Sequence, residues 1–579
     1  MKPPGECAGV EHRRNRDGIQ WEVRNHRHLI PQQPADRSHD PGLIGRSVGI
    51  LLRENRKVDS QELESRADET IKFGVGWVVH DVRISGRGEE TLPQVSLGCA
   101  CRGAASYRIG LTRDTTDPFT RTSPGMFAPL VALLIAAQGP AMAPAPGLST
   151  GADVRTVEVS RVTSDSLRLA AFDTAWVRIR DTHYDPDLGG LDWDAIRAEF
   201  RPRVEAATSS ADFHRIMDEM LDRLGESHFV LIPATAADPS TAAAGRGDPG
   251  MRVRWIDGAA LVTSVEPGGG AARAGLRPGY EVRTVGDQDL ADLVAGLELA
   301  GDDAAALWID AVLAARIRGI PGETLSLRIL DADGRVRQKE VALDEPAGEL
   351  VQFGLLPPFR LEVDDREIHP GGPDGPRIGL IRFNGWFPSA APLLAEAVDR
   401  HRGADGIVLD LRGNPGGVGG LAMGVAGHFL DERLDLGEMR TRDTTLRFVV
   451  NPQRIGPDGS RVQPFDGPLV LLVDGLSAST SEIFAGGLKA LDRAHLVGET
   501  TAGQALPAHL AVLATGDRLM HAVADFTASD GSRLEGAGVR PHTPVHLSRE
   551  LLLAEADPFL NRALEWITAQ RRLLLETSP

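Results

Sequence analysis

The sequence predicts an α/β protein: a layered α/β core in its C-terminal part, preceded by a small β module and a small helical domain. Three observations carry this. From about residue 350 apolar strand-like runs alternate with amphipathic stretches of helical period. Between residues 253 and 343 short apolar runs are broken by Gly and Pro turns. Between Asp165 and Leu224 apolar residues recur at helical spacing with no strand pattern among them.

Composition sets the frame. A chain of 579 residues, 42% apolar and 25% charged, is ordinary for globular protein and long enough for several domains. Its net charge of −18 and the lack of a basic run interleaved with aromatics exclude nucleic acid as the expected partner. Cys7, Cys99 and Cys101 all fall in the first fifth, so no disulfide framework or thiolate metal site is available beyond residue 101. Cys99-x-Cys101 is too little for zinc, and neither a metal nor an organic cofactor is expected.

Residues 1–125, rich in Arg, His and Gly, show no sustained period and stay unassigned; Ile71–His80 is their one strand candidate. Residues 126–143 read as a signal peptide: Met126 to Ala137 is an apolar core, Ala141-x-Ala143 a cleavage site, and Arg113 and Arg121 a positive flank. The alternative is a short buried helix. The run is too short to span a bilayer, so the mature chain is expected to lack an integral span, and its location to be periplasmic or secreted. Such a peptide cannot work deep inside a chain, which sets the expected start near residues 110–126.

Residues 152–234 form the helical domain. Leu169, Phe172, Trp176 and Ile179 make one apolar face, Trp193, Ile196 and Phe200 a second, and Phe213, Ile216, Met220 and Leu224 a third, with Asp192 and Ser210 as N-caps. It ends in Leu224-Gly-Glu-Ser-His228, where a Ser-His pair enters a strand-like run. After a linker, residues 245–347 hold strands from Val253 and Ala260, the turn Gly275-Leu-Arg-Pro-Gly279, an insertion from Ala291 to Arg318, and closing strands Thr324 to Leu330 and Val336 to Leu343. In residues 348–570 strands at Ile378 to Phe383, Gly406 to Arg412, Pro468 to Val473 and Ala494 to Gly498 alternate with helices at Ala390 to His401, Gly419 to Leu430 and 480–491.

Within that core lies Gly475-Leu-Ser-Ala-Ser-Thr-Ser-Glu482, a tight turn of small residues between a buried strand and a helix. A hydroxyl there sits beside N–H groups with no helical partner, at the end of the dipole that favours developing negative charge. That arrangement suits acyl transfer by a serine. Ser479 with Glu482 three residues later equally spells a helix capping box.

Residues 245–347 resemble a PDZ domain, with Tyr280 where an acidic residue is usual. Asp410-Leu-Arg-Gly-Asn-Pro-Gly-Gly417, the serine turn and Arg493-Ala-His-Leu-Val-Gly-Glu-Thr-Thr-Ala-Gly503, closed by Glu535-Gly-Ala-Gly-Val-Arg-Pro541, together resemble the C-terminal processing (tail-specific) peptidase family. The resemblance covers roughly residues 150–550 and implies a ClpP/crotonase-like serine-peptidase core. It assigns Ser479 as nucleophile.

The family's Ser/Lys branch takes its base from a lysine whose position here is Gln504, which cannot accept the proton. Beyond residue 143 only Lys339 and Lys489 occur, and Lys489 stands about 15 Å up the helix. The Ser/His branch, resembling the tricorn core and interphotoreceptor retinoid-binding protein repeats, fits instead. It implies His228 as general base, with Ser227 and Glu535 as a polar relay, and an oxyanion hole from Thr480 and either Gly416 or Gly417. Glu499 is a rival for the glutamate, and His542 replaces an acidic residue after the closing motif. The implied substrate is a polypeptide engaged near its C-terminus by the PDZ-like domain. The competing class is a catalytically inactive peptide- or lipophile-binding protein on the same fold.

Overall fold

A computed structural model of the chain describes residues 10–15, 18–23, 80–85, 94–98, 154–237, 247–297 and 303–577. The segment 126–143 read as a signal peptide, the three cysteines and most of the strand candidate before His80 lie outside them. The chain divides into two units, Met1–Asp114 and Thr115–Pro579. In the first, two antiparallel hairpins are described, Val10–Asn15 with Gly18–Val23 and His80–Ser85 with Gln94–Gly98.

The second unit is built around a six-stranded sheet. In spatial order it runs Val363–Ile368, Ile378–Phe383, Gly406–Asp410, Leu469–Val473, His495–Gly498 and Thr543–Pro544. The first strand is antiparallel to the second and every later pairing is parallel. Alternate residues of a strand face opposite sides, and here both sides are covered. Leu469, Leu471 and Val473 join Leu394, Phe429, Ile483 and Phe484 on one face. Val470 and Leu472 join Phe559, Leu560, Ala563 and Ile567 of the Pro558–Thr577 helix on the other. Two-sided burial is why these strands are apolar without alternation.

Helices Ala390–Arg400 and Thr480–Ala490 agree with the sequence pattern. The expected helix from Gly419 to Leu430 is confined to Leu421–Ala426. A three-stranded sheet of Thr445–Val449, Asp435–Thr441 and Ala524–Ala528 was not foreseen. Its strands are short and only partly apolar, and Ala524–Ala528 comes from far along the chain, so they leave little local signal.

Helices Val154–Thr182, Trp193–Glu205 and Ser210–Asp222 bury the three predicted faces. Asp192 caps the second by accepting from the Ala195 N–H at 2.9 Å. The third is capped by Ser209 rather than Ser210: its hydroxyl takes the Asp212 N–H at 3.0 Å. The helical core is continuous with Phe229 and Leu231, and with Leu506, Leu513 and Leu519 of the C-terminal part. Strand Val230–Ile232, directly after His228, pairs with Arg518–Ala522, which also pairs with Ala508–Val512.

The β module is a sheet in the order Val336–Ala342, Thr324–Leu330, Glu281–Val285, Ala259–Val265, Met251–Ile256. Its insertion carries helices Leu290–Ala295 and Asp303–Arg316. Arg254 fastens it to the core, donating to Asp310 at 2.7 Å and to Glu499 at 2.6 Å. No helix among the described residues is long and apolar enough to cross a membrane.

Candidate active site

Strands Gly406–Asp410 and Leu469–Val473 are parallel neighbours, so the glycine loop after the first and the serine turn after the second leave the same end of the sheet. In open α/β sheets that carboxyl end is where ligands bind. Asp410, under the loop, is buried. Burial pushes its carboxyl up, but the Arg412 guanidinium beside it outweighs this and holds it down to about 2. Arg412 in turn donates to Asp557 at 2.8 and 2.9 Å, tying the loop to the C-terminal helix.

The serines of the turn are not equivalent. Ser477 donates to the Leu411 carbonyl at 2.8 Å and accepts from the Asp474 N–H at 3.0 Å. Ser481 donates to the Asn414 carbonyl at 3.0 Å and accepts from Trp386 Nε1 at 2.9 Å. Both are buried and spent on structure. Ser479 alone of the three reaches the surface, in a left-handed conformation with φ 56° and ψ −117°. A non-glycine residue held there costs about 1–3 kcal/mol, which the surroundings must hold in place.

They do so through Glu482. Its carboxylate accepts from the Ser479 N–H at 3.0 Å, the Gln504 N–H at 2.9 Å, the Gly503 N–H at 2.7 Å and the Thr501 hydroxyl at 2.6 Å. Burial pushes this carboxyl up to about 7, against four donors that favour the anion. The Glu482 N–H bonds to the Ser479 carbonyl at 2.9 Å, and the Glu482 carboxylate returns a bond to the Ser479 N–H, as in a capping box. Cap and candidate nucleophile therefore coexist at one residue, which stands at the helix N-cap and still reaches the surface.

The glycine loop abuts the serine. A Cβ on Gly416 would lie 2.6 Å from the Ser479 Cβ and 2.9 Å from the Thr480 N, and its φ is +96°. The two glycines differ in their amides. The Gly416 N–H donates to Asn414 Oδ1 at 3.0 Å. No protein acceptor is found for the Gly417 or Thr480 N–H among the described residues. The Thr480 hydroxyl donates to the Gly417 carbonyl at 3.0 Å, fixing that peptide.

Ser227, His228 and Glu535 come together although Glu535 lies 308 residues beyond Ser227. Glu535 accepts the Ser227 N–H at 2.8 Å, the Ser227 hydroxyl at 2.9 Å and the Ala505 N–H at 2.8 Å. His228 Nδ1 is 2.7 Å from the Ser227 oxygen. The hydroxyl has one hydrogen, and it goes to Glu535; Nδ1 must then carry the proton, leaving Nε2 as the basic nitrogen. Burial pushes the imidazole down to about 4 and the Glu535 carboxyl up. No hydrogen bond joins His228 to Ser479 among the described residues. The two are linked through consecutive residues instead: the Gln504 carbonyl takes the Ser479 N–H at 2.8 Å, and Ala505 donates to Glu535.

The rivals are engaged elsewhere. Glu499 is ion-paired to Arg254. Lys489 donates to the Arg540 carbonyl and Lys339 to that of Ala274, each at 2.8 Å. His495 stacks between His542 and Trp566, and His521 bonds to Thr182. Among the described residues no group of three or more His, Cys, Asp and Glu side chains is disposed to hold a metal. Sequence reasoning missed Glu482's second role and the residues that flank the relay, Tyr184, Glu226 and Arg533. The capping-box spacing pointed at the first; only the fold brings the others together.

The depressed His228 pKa has a consequence for stability. Between its ordinary value of 6.5 and about 4 the unfolded chain takes up a proton that the folded one refuses. Stability is therefore lost as pH falls through that window. Urea titrations at pH 7 and 4.5 should show a loss smaller by about 2–3 kcal/mol in His228→Asn than in the parent. Equal losses would show that His228 titrates normally.

Residues 377–545 match the model of peptidase family S41, and residues 168–222 that of the tricorn protease C1 domain. The chain is 27% identical over 410 residues to the carboxyl-terminal-processing protease of Synechocystis, covering 68% of this chain and 85% of that one. It is also 27% identical over 417 residues to the carboxyl-terminal-processing protease of Picosynechococcus, covering 69% and 89%. Among solved structures it aligns with the photosystem II D1 C-terminal processing protease at a TM-score of 0.45 and 20% identity, over 68% of this chain and 99% of that one. The core segment 377–545 is thus similar to peptidase family S41, and the relatives that align with most of the chain are carboxyl-terminal-processing proteases.

Proposed function

We propose that the chain is a serine endopeptidase that cleaves polypeptides through an acyl-enzyme, with Ser479 as nucleophile and His228 as its base. The observation that carries this is the Glu535–Ser227–His228 chain of hydrogen bonds, which leaves Nε2 unprotonated. Ser479 Oγ attacks the scissile carbonyl while its proton passes to Nε2. The oxyanion is held by the N–H groups of Thr480 and Gly417, the choice of Gly417 over Gly416 resting on the prior engagement of the Gly416 amide. His228 then protonates the leaving amine, and in deacylation takes a proton from the attacking water. The imidazolium formed at each step is stabilised through Ser227 by the Glu535 carboxylate. Substrate binding draws His228 and Ser479 into contact; catalytic hydrogen bonds commonly tighten only in the complex.

A fluorophosphonate probe tests this. It should label the parent, fail on Ser479→Ala, and label His228→Ala at least 100-fold more slowly, in keeping with the size of such losses. Labelling that persists in Ser479→Ala would refute the nucleophile. A folded protein that never labels would point to the inactive binding protein.

The β module of residues 245–347 receives the substrate's C-terminal region by strand addition, as PDZ domains do. The order of its principal strands and the short helix Gly270–Arg273 support that reading. Peptides with a free C-terminal carboxylate should show a KM at least several-fold below their amidated counterparts. Equal KM values would remove the module from substrate recognition.

The protein is exported to the periplasm or secreted, supported by the apolar run and small-residue site at 126–143. Mass spectrometry of protein recovered from its source should find an N-terminus just after Ala143. An intact Met1 on the mature protein would contradict export by this segment.

A further inference from the structure

The segments that carry the relay are joined a second time, just outside it. Glu226 precedes Ser227, and Arg533 lies two residues before Glu535. The Tyr184 hydroxyl donates to Glu226 Oε1 and accepts from Arg533 Nη2 at 3.0 Å. Arg533 also reaches Glu226 Oε1 at 3.4 Å, and its Nε donates to Asp525 at 2.9 and 3.1 Å. His183 Nε2 is 3.1 Å from the other Glu226 oxygen. Tyr184 is buried, its ring stacked on His183 at 4.7 Å, with the Arg440 guanidinium 5.8 Å from the ring centre. The groups facing it are thus Glu226, Arg533, Asp525, His183 and Arg440. Burial and the Glu226 carboxylate push the phenol up, so it stays a donor.

A phenol has one hydrogen to give and an oxygen to accept with; both are used here, one on each segment. The turn between them has little else to hold it. Gly225 and His228 are both left-handed, with φ 64° and 62°, and residues 226–228 belong to no helix or strand. The direction of the imidazole is set by side-chain anchors: Ser227 on Glu535, and Glu226 on Tyr184 and His183.

We propose that Tyr184 is a positioning residue for the peptidase reaction: by bridging Glu226 and Arg533, its hydroxyl fixes the 226–228 turn against the 533–535 segment and so aims His228 Nε2 at Ser479. This rests on His228 being the base. It gives the helical region a part in the chemistry, since helix Val154–Thr182 ends two residues before Tyr184.

Tyr184→Phe removes one oxygen and keeps the ring. With a peptide substrate, kcat should fall about tenfold with KM within about twofold of the parent, and the acid limb of kcat/KM should shift along the pH axis. Glu226→Gln, which keeps an acceptor for Tyr184 but loses the charge, should shift that limb while retaining more of kcat; it provides a second reading if Tyr184→Phe folds poorly by circular dichroism. Parental kcat and an unmoved acid limb in both variants would overturn the proposal. So would a kcat loss that tracks a fall in melting temperature with no shift of the limb. Ser479→Ala and His228→Ala run alongside. Turnover retained by His228→Ala defeats the relay and this proposal together, whereas its loss beside a parental Tyr184→Phe defeats the positioning role alone.

Discussion

The site hangs on one buried carboxylate. Glu482 sits on the first turn of the helix that follows the serine and takes four hydrogen bonds, from Ser479, Thr501, Gly503 and Gln504. An ion in such a position is costly unless its lone pairs are filled, and here two donors serve each oxygen. The same four bonds clamp the serine turn to the 501–505 loop, whose Ala505 N–H donates to Glu535. The strained backbone of Ser479, the close approach of Gly416 and the attachment of the relay all depend on that clamp.

Around it the fold uses few kinds of device. Parallel neighbouring strands bring two loops to one sheet end. Glycine lets one backbone lie against the other, since a Cβ at Gly417 would stand 2.4 Å from the Trp386 carbonyl oxygen. Short polar side chains, those of Asn414, Ser477, Thr480 and Ser481, pin the loops to each other rather than to solvent. Each donates to a backbone carbonyl, which separates them from Ser479.

Much of this was legible in the sequence, and the boundary is physical. Strands buried on both faces and amphipathic helices announce themselves locally, and the serine turn does so by its small residues between them. The sheet of Asp435–Thr441, Thr445–Val449 and Ala524–Ala528 does not, because its pairing is set by a partner some 90 residues away. Ser209 and Ser210 offer the same hydroxyl, and only backbone geometry selects the first as the cap. The choice between cap and nucleophile looked exclusive because the spacing cannot say that a residue at the N-cap also reaches the surface. Gly416 and Gly417 were likewise indistinguishable until Asn414 was seen to occupy one amide. Tyr184 and Arg533 carry no motif at all; their meeting is a product of the tertiary structure.

The relay also has a bearing on biosynthesis. The proposed base lies at residue 228 and its anion at residue 535, with the proposed nucleophile Ser479 between them in sequence. A ribosome delivers them in that order, so the nascent chain holds a base and then a serine long before it holds the carboxylate that orients the first toward the second. On the proposed mechanism, competence waits for residue 535. A chain that stops short of Glu535 would hold the serine and the histidine without the anion that anchors Ser227.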